Sequence, residues 1–213
     1  MKTAIVVGST GLIGSTLLHQ LLADDRYARV KTPVRKPTGR QNAKLEEHVV
    51  DFDRLADYPD AFTGDDFFVC LGTTLKTAGS AEARRRVDRD LVIAVAKAAE
   101  GRAKRIAVVS SVGADARSGN AYLRDKGEME EAVAATDYEK VVFVQPSFFY
   151  GNRTEARLGE RIGIAVTKLL GSLLGEYEAL PAEKVAAAMV RRLNQPGGKV
   201  VLVGVREMKK VAG

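Results

Sequence analysis

The stretch from Thr3 to Leu18 constrains this chain most. A β-branched apolar run, Ile5–Val6–Val7, leads straight into Gly8–Ser9–Thr10–Gly11–Leu12–Ile13–Gly14 and then into an amphipathic helix. A strand that turns directly into a helix aims the helix's free N–H groups and its positive dipole end at one point, which suits a pyrophosphate. Gly8 is expected to permit the tight turn, Gly11 to let the backbone approach the phosphates, and Gly14 to let the helix pack on the strand. Ser9 and Thr10 add hydroxyl donors, and Leu12 and Ile13 open the helix. A three-glycine pattern is weak alone; preceded by a strand and followed by a helix, it is a nucleotide-binding turn.

The rest of the chain keeps the same rhythm. Apolar strand-like segments fall at Lys2–Val7, Arg29–Val34, Glu47–Asp51, Asp65–Leu71, Arg105–Ser110, Lys140–Gln145 and Lys199–Val203, with helical patterns between most of them. Ser80 is a good N-cap for one long helix to about Glu100, where Gly101 stops it. Asn120–Ala135 is also helical in pattern. Continuous apolar strands alternating with helices specify an α/β fold with a doubly wound parallel sheet and right-handed crossovers. With 213 residues the chain fits a single domain: a core over residues 1–150 and a small C-terminal helical substrate or lid region over about 151–213. In that region Leu158–Leu174 reads as an apolar helix and Pro181–Leu193 as another. The first is expected to be a lid or packed helix; a homodimer contact is the next reading, and membrane-surface association the third, because the segment is short of basic residues.

Composition excludes several classes. The single cysteine, Cys70, leaves no disulfide framework or thiol-based metal cluster, and His19 and His48 are too few and too far apart for zinc. No apolar run is long enough to span a membrane. The short apolar N-terminus, broken by Gly8, is not expected to act as a signal peptide. Cysteine usage points to a reducing cytoplasm. The net charge of +6 is modest and dispersed. Its densest run, Arg84–Arg85–Arg86, is flanked by Glu82 and Asp88 and reads as a solvated helix face, so nucleic-acid binding is not expected.

The residues after the second strand choose between dinucleotides. An acid there would bind a ribose 2′-hydroxyl, whereas an arginine accommodates a 2′-phosphate. The sequence has no acid there and carries Arg35 and Lys36, so NADP(H) is expected over NAD(H). Asp51 and Phe52 end the third strand, where a carboxylate could meet the adenine amino group. Leu71–Gly72–Thr73 ends the fourth, with a glycine that admits close approach.

The reactive group is expected from Ser110–Ser111 at the end of the fifth strand and from Tyr122 and Lys126, four apart on one helix face. A free tyrosine titrates near 10, and an adjacent ammonium favours its phenolate. Such a tyrosine can shuttle a proton to or from a carbonyl or hydroxyl while a serine holds the same oxygen. A second Tyr-x-x-x-Lys, Tyr27 to Lys31, meets the second strand and lies at the wrong sheet end; it is read as a decoy. No Gly-x-Ser-x-Gly elbow is present, which argues against a serine hydrolase.

These residues resemble the short-chain dehydrogenase/reductase superfamily. The resemblance runs from the glycine turn through Ser111, Tyr122 and Lys126 to Gln145–Pro146–Ser147. The stretches Cys70–Ser80 and Tyr122–Glu128 are similar to the atypical, HIV-Tat-interacting-protein-like branch. It implies an NADP-binding Rossmann fold and a small-molecule substrate. Tyr122 would be the acid/base, Lys126 would bind the nicotinamide ribose, Ser111 would orient the substrate oxygen, and Pro146 would pack near the nicotinamide. Ser110 remains open beside Ser111. Regulatory members of the branch keep a second reading open, a redox-sensing protein with little turnover; an epimerase or dehydratase retaining its cofactor is a third.

Overall fold

The computed structural model describes residues 1–151 and 178–211. The expected helix over 158–174, with its lid and dimer readings, lies outside the described residues. Seven parallel strands make one sheet: β1 (Lys2–Val7), β2 (Tyr27–Val34), β3 (Leu45–Val49), β4 (Asp66–Val69), β5 (Arg105–Val109), β6 (Lys140–Val144) and β9 (Val200–Val203). Their order across it is β3-β2-β1-β4-β5-β6-β9. Two further short strands, β7 (Phe149–Tyr150) and β8 (Leu180–Pro181), pair with each other. The sheet is a Rossmann-type α/β fold, and the strand order reverses direction between β1 and β4, where ligands of such sheets bind.

Alternation along the strands builds two cores. Ala4 and Val6 face α1 (Leu12–Ala23) and α6 (Ala182–Asn194), against Leu17, Leu21, Val185 and Met189. Ile5 and Val7 face the opposite layer, α4 (Leu91–Ala99) and α5 (Ala121–Ala134), against Val92, Val95, Met129 and Val133. Strands covered on both faces bury nearly every side chain, which is why β4, Asp66–Phe67–Phe68–Val69, is wholly buried.

Several boundaries differ from the sequence reading. β2 starts at Tyr27, and Pro33 lies inside it; β1 pairs with β2 only as far as Lys31, so the missing Pro33 N–H interrupts no pairing with β1. β3 runs over Leu45–Val49 rather than Glu47–Asp51, so Asp51 and Phe52 lie past the strand in the turn that follows. The single helix expected from Ser80 to Glu100 is broken. A short α2 (Leu75–Ala78) precedes α3 (Ala81–Arg85), which Ser80 caps by accepting the Ala83 N–H at 3.0 Å. A π turn over Arg86–Asp90 follows, and only then α4. Gly101, at φ +73°, stops α4 as expected.

The candidate nucleotide and catalytic site

Every parallel strand ends at the same sheet edge, and the loops leaving those ends collect the expected residues there. The turn after β1 is tightly built. Gly8 has φ +84°, and a Cβ there would lie 2.6 Å from the Cys70 carbonyl oxygen. A Cβ on Gly14 would lie 2.1 Å from the Gly8 oxygen. These two glycines are demanded by the fold. Gly11 is not: its φ of −74° suits any residue, and a Cβ there would meet only ordinary contacts. Its missing side chain leaves open surface beside the start of α1, which no side chain caps. Ser9 is buried, and its hydroxyl has no hydrogen-bond partner among the described residues. A glycine the fold does not need, an orphaned hydroxyl and an uncapped helix start together fit a pyrophosphate.

In the loop after β2, Arg35 and Lys36 are exposed, and neither pairs with an acid among the described residues. The same loop carries a cation that the sequence reading missed. Arg40 reaches back over the glycine turn, and its Nη1 donates to the Ser9 carbonyl at 3.0 Å. The loop is tied to β3 through Glu47, which accepts from the Thr38 N–H at 3.0 Å and from its hydroxyl. Nothing in a polar loop five residues past Arg35 marks Arg40 out; only the fold of the loop does. Leu71, Gly72 and Thr73 lead away from β4 beside the glycine turn, with the Cys70 N–H donating to Val7 O at 2.9 Å. Burial pushes the Cys70 thiol up to about 12.

The expected reactive residues lie where β5, β6 and α5 meet. Asn120 caps α5 by accepting the N–H groups of Tyr122 and Leu123 at 2.9 and 3.3 Å. Tyr122 is half-buried on the first turn, and Lys126 follows one turn later, 2% exposed. The Lys126 ammonium donates to Val109 O at 3.5 Å and pairs with Asp88 Oδ1 at 3.3 Å. Asp88, also 2% exposed, sits on the π turn, and its other oxygen accepts the Thr73 N–H at 3.3 Å. It therefore joins the loop after β4 to the lysine. The charged run Arg84–Asp90 hid it from sequence reasoning.

Arg84 is a correction as well. It is not part of a solvated face: its side chain is 13% exposed, pairs with Asp125 at 3.3 Å, and places its guanidinium carbon 5.1 Å over the Tyr122 ring. Arg85 and Arg86, with side chains 49% and 76% exposed, are the solvated ones. Gly127 is needed for close packing. A Cβ there would lie 2.1 Å from the Ala116 N, so α5 presses directly on the loop after Ser111.

The two serines separate. The Ser110 hydroxyl is fully buried beside the Glu130 carboxylate, near enough to favour its charge but without a well-formed hydrogen bond. Ser111 is 7% exposed, with a long 3.4 Å contact to Val112 O. Pro146 follows β6 and accepts the Val112 N–H at 3.1 Å, which holds the two strand exits together. The decoy pair is apart from all this. Tyr27 is fully buried and donates to Asp66 Oδ2 at 2.6 Å, and Lys31 donates to the carbonyls of Asp60 and Thr63.

A protein family described as NAD(P)H-binding matches residues 8–196. The chain belongs to this NAD(P)H-binding family. It is 35% identical over 204 residues to Protein HTATIP2 of Rattus norvegicus, covering 92% of this chain and 83% of that one. It is 34% identical over 187 residues to Protein fmp52, mitochondrial, of Emericella nidulans, covering 84% and 78%. Among solved structures, MoeE5 in complex with UDP-glucose and NAD superposes with a TM-score of 0.71 at 17% identity, covering 97% of this chain and 79% of that one. A short-chain dehydrogenase/reductase superfamily protein from Agrobacterium tumefaciens with bound NAD also gives 0.71, at 15% identity and coverage of 95% and 77%. Among the described residues no helix is long and apolar enough to cross a membrane.

Proposed function

We propose that this NAD(P)H-binding protein is an NADP(H)-dependent oxidoreductase of the short-chain dehydrogenase type, acting between a carbonyl and an alcohol, with Tyr122 as acid/base. The observation that carries the reading is the corner of α5: a buried, doubly held ammonium at Lys126, one turn past a half-buried tyrosine, against the exit of β5. The nucleotide is held by the turn from Gly8 to Gly14. Asp51 and Phe52 would meet its adenine end, Leu71–Thr73 would line its length, and Lys126 and Pro146 would hold the nicotinamide end. The bound nicotinamide supplies or accepts the hydride.

Tyr122 gives its phenolic proton to the carbonyl oxygen in the reducing direction and takes it back in the other. Ser111 holds that oxygen. Burial against Glu130 favours Ser111 over Ser110, whose hydroxyl cannot reach a substrate without repacking. Arg40 joins Arg35 and Lys36 as the group that favours a 2′-phosphate, because its guanidinium is anchored on the glycine turn itself. The cysteine usage favours the cytoplasm, although the fungal relative's name carries the word mitochondrial; fractionation of the native host checks this.

Tyr122→Phe tests the chemistry. With a panel of carbonyl compounds and NADPH, kcat/KM should fall by roughly 10²–10⁴, while the NADPH dissociation constant changes less than about twofold. Full activity in the variant removes Tyr122 from the mechanism. Tight NADPH binding by the native protein with no oxidation across the panel favours a redox-sensing protein instead.

A further inference from the structure

Arg84 takes no part in the proton and hydride transfers above, yet its guanidinium covers Tyr122. The guanidinium carbon lies 5.1 Å from the centre of the ring, within the reach of a cation–π contact. Its Nε is buried and has no hydrogen-bond partner among the described residues. A buried donor without an oxygen partner is costly, and the electron-rich face of the ring compensates the guanidinium in part. Asp125 fixes the same group: its Oδ2 lies 3.3 Å from Arg84 Nη2, and the residue is 5% exposed. The short helix α3 thus holds a charge against the first turn of α5. Among the described residues the other charges around this turn have partners. Arg85 lies 3.8 Å from both Asp125 and Glu128, and Arg89 pairs with Glu128. Lys126 pairs with Asp88. On the loop after β5, Asp115 pairs with Arg117, and Arg124 donates to the Ser118 carbonyl. Of all these groups it is Arg84 whose charge stands over the ring.

We propose that Arg84 is a positioning residue for Tyr122: its charge, fixed over the ring by Asp125, favours the phenolate that the tyrosine becomes when it gives up its proton. This rests on the acid/base role proposed above for Tyr122 and deepens it. A neutral ring offers the guanidinium only its quadrupole. An ionised ring offers a full negative charge spread over the same face, so the attraction grows as the proton leaves. Asp125 works the other way, because a carboxylate beside the guanidinium offsets part of its field. Loss of the cation should therefore make the phenol harder to ionise, and loss of the carboxylate should make it easier. A side chain that only packed the ring would not produce that opposed pair.

Absorbance titration of the phenolate from about pH 7 to 11 reads the effect without a substrate. The chain has six tyrosines, and the difference between each protein and its Tyr122→Phe counterpart isolates Tyr122. Arg84→Met should raise the midpoint by roughly half to one pH unit. Arg84→Lys keeps the charge and should restore most of the native value. Asp125→Asn, close in shape, should lower the midpoint. With an alcohol that the native protein oxidises, the ascending limb of kcat/KM should move with the midpoint in each variant, while NADPH binds as before. An unmoved midpoint in Arg84→Met, or shifts of the same sign in Arg84→Met and Asp125→Asn, overturns the proposal. Asp125→Asn leaves Arg84 in place and carries the test should Arg84→Met not fold; an unmoved or raised midpoint there overturns the proposal as well. Absence of turnover by the native protein on every carbonyl and alcohol overturns the oxidoreductase reading, and the titration still decides what Arg84 does to the ring.

Discussion

At the scale of single residues, Arg40 shows how a side chain acquires a role from its anchor. Exposed arginines are common, and Arg35 and Lys36 are of that kind. Arg40 differs because its guanidinium is already bonded to the Ser9 carbonyl, so part of the entropy of ordering a long side chain over the nucleotide turn is spent in advance. A charge-assisted bond to phosphate contributes about 1.5–3 kcal/mol. Arg40→Glu should therefore weaken NADPH by roughly tenfold or more and NADH far less, read as the ratio of the two dissociation constants. An unchanged ratio assigns the 2′-phosphate elsewhere. Gly11 carries the complementary argument at this scale. Gly8 and Gly14 are explained by the chain's own atoms at 2.6 and 2.1 Å, whereas at Gly11 a Cβ would meet only ordinary contacts, which leaves room there for the proposed nucleotide.

At the scale of elements, the break between α3 and α4 is the feature that assembles the corner. A continuous α-helix from Ser80 would place residues by the 3.6 period. The π turn over Arg86–Asp90 inserts an extra residue into one turn, of the kind found at functional sites. Here Asp88 points inward to both Lys126 and the Thr73 N–H. Removing one member of a buried pair leaves the other charge uncompensated, which costs about 3–5 kcal/mol. Asp88→Ala should lose about that much in denaturant unfolding. Asp88→Asn should lose less, because it still accepts from Thr73. Equal and small losses in both variants mean the pair contributes nothing net. α5 belongs to the same scale: Gly127 lets it press on the Ser111 loop, so the spacing between serine and tyrosine is set by backbone contact rather than by loop length.

At the scale of the whole molecule, the two edges of the sheet differ in what they do. The carboxyl edge gathers the site. The amino edge is locked by one polar network. The fully buried Asp66 of β4 accepts from Tyr27 of β2 and from Arg105 of β5, with Lys2 of β1 3.6 Å away. Asn194, at the end of α6, donates to the Tyr27 hydroxyl at 3.0 Å. Four strands and the helix that covers them are thus tied at one carboxylate, and burial beside it pushes the Tyr27 phenol well above its ordinary value. Asp66→Ala should lower stability by about 3–5 kcal/mol, towards the lower end because Arg105 is one-fifth exposed, with little change in nucleotide affinity at the far edge. A large loss of affinity without a loss of stability would mean the edges are not independent.

What the amino-acid order determined was everything carried by local chemistry. Apolar runs of strand length alternating with helical periods specify a parallel sheet, and a glycine turn between the first strand and helix marks the candidate anion site. The four-residue spacing of Tyr122 and Lys126 puts both on one helix face. What only the tertiary structure decided was which charged groups meet. Arg40 with Ser9, Arg84 with Tyr122 and Asp88 with Lys126 are 31 to 38 residues apart in the chain. In a sequence rich in exposed charge, no period or propensity distinguishes the few that are drawn inward. That choice follows from closure of the sheet and the register of one π turn, because a buried charge is tolerated only where another element brings it a partner.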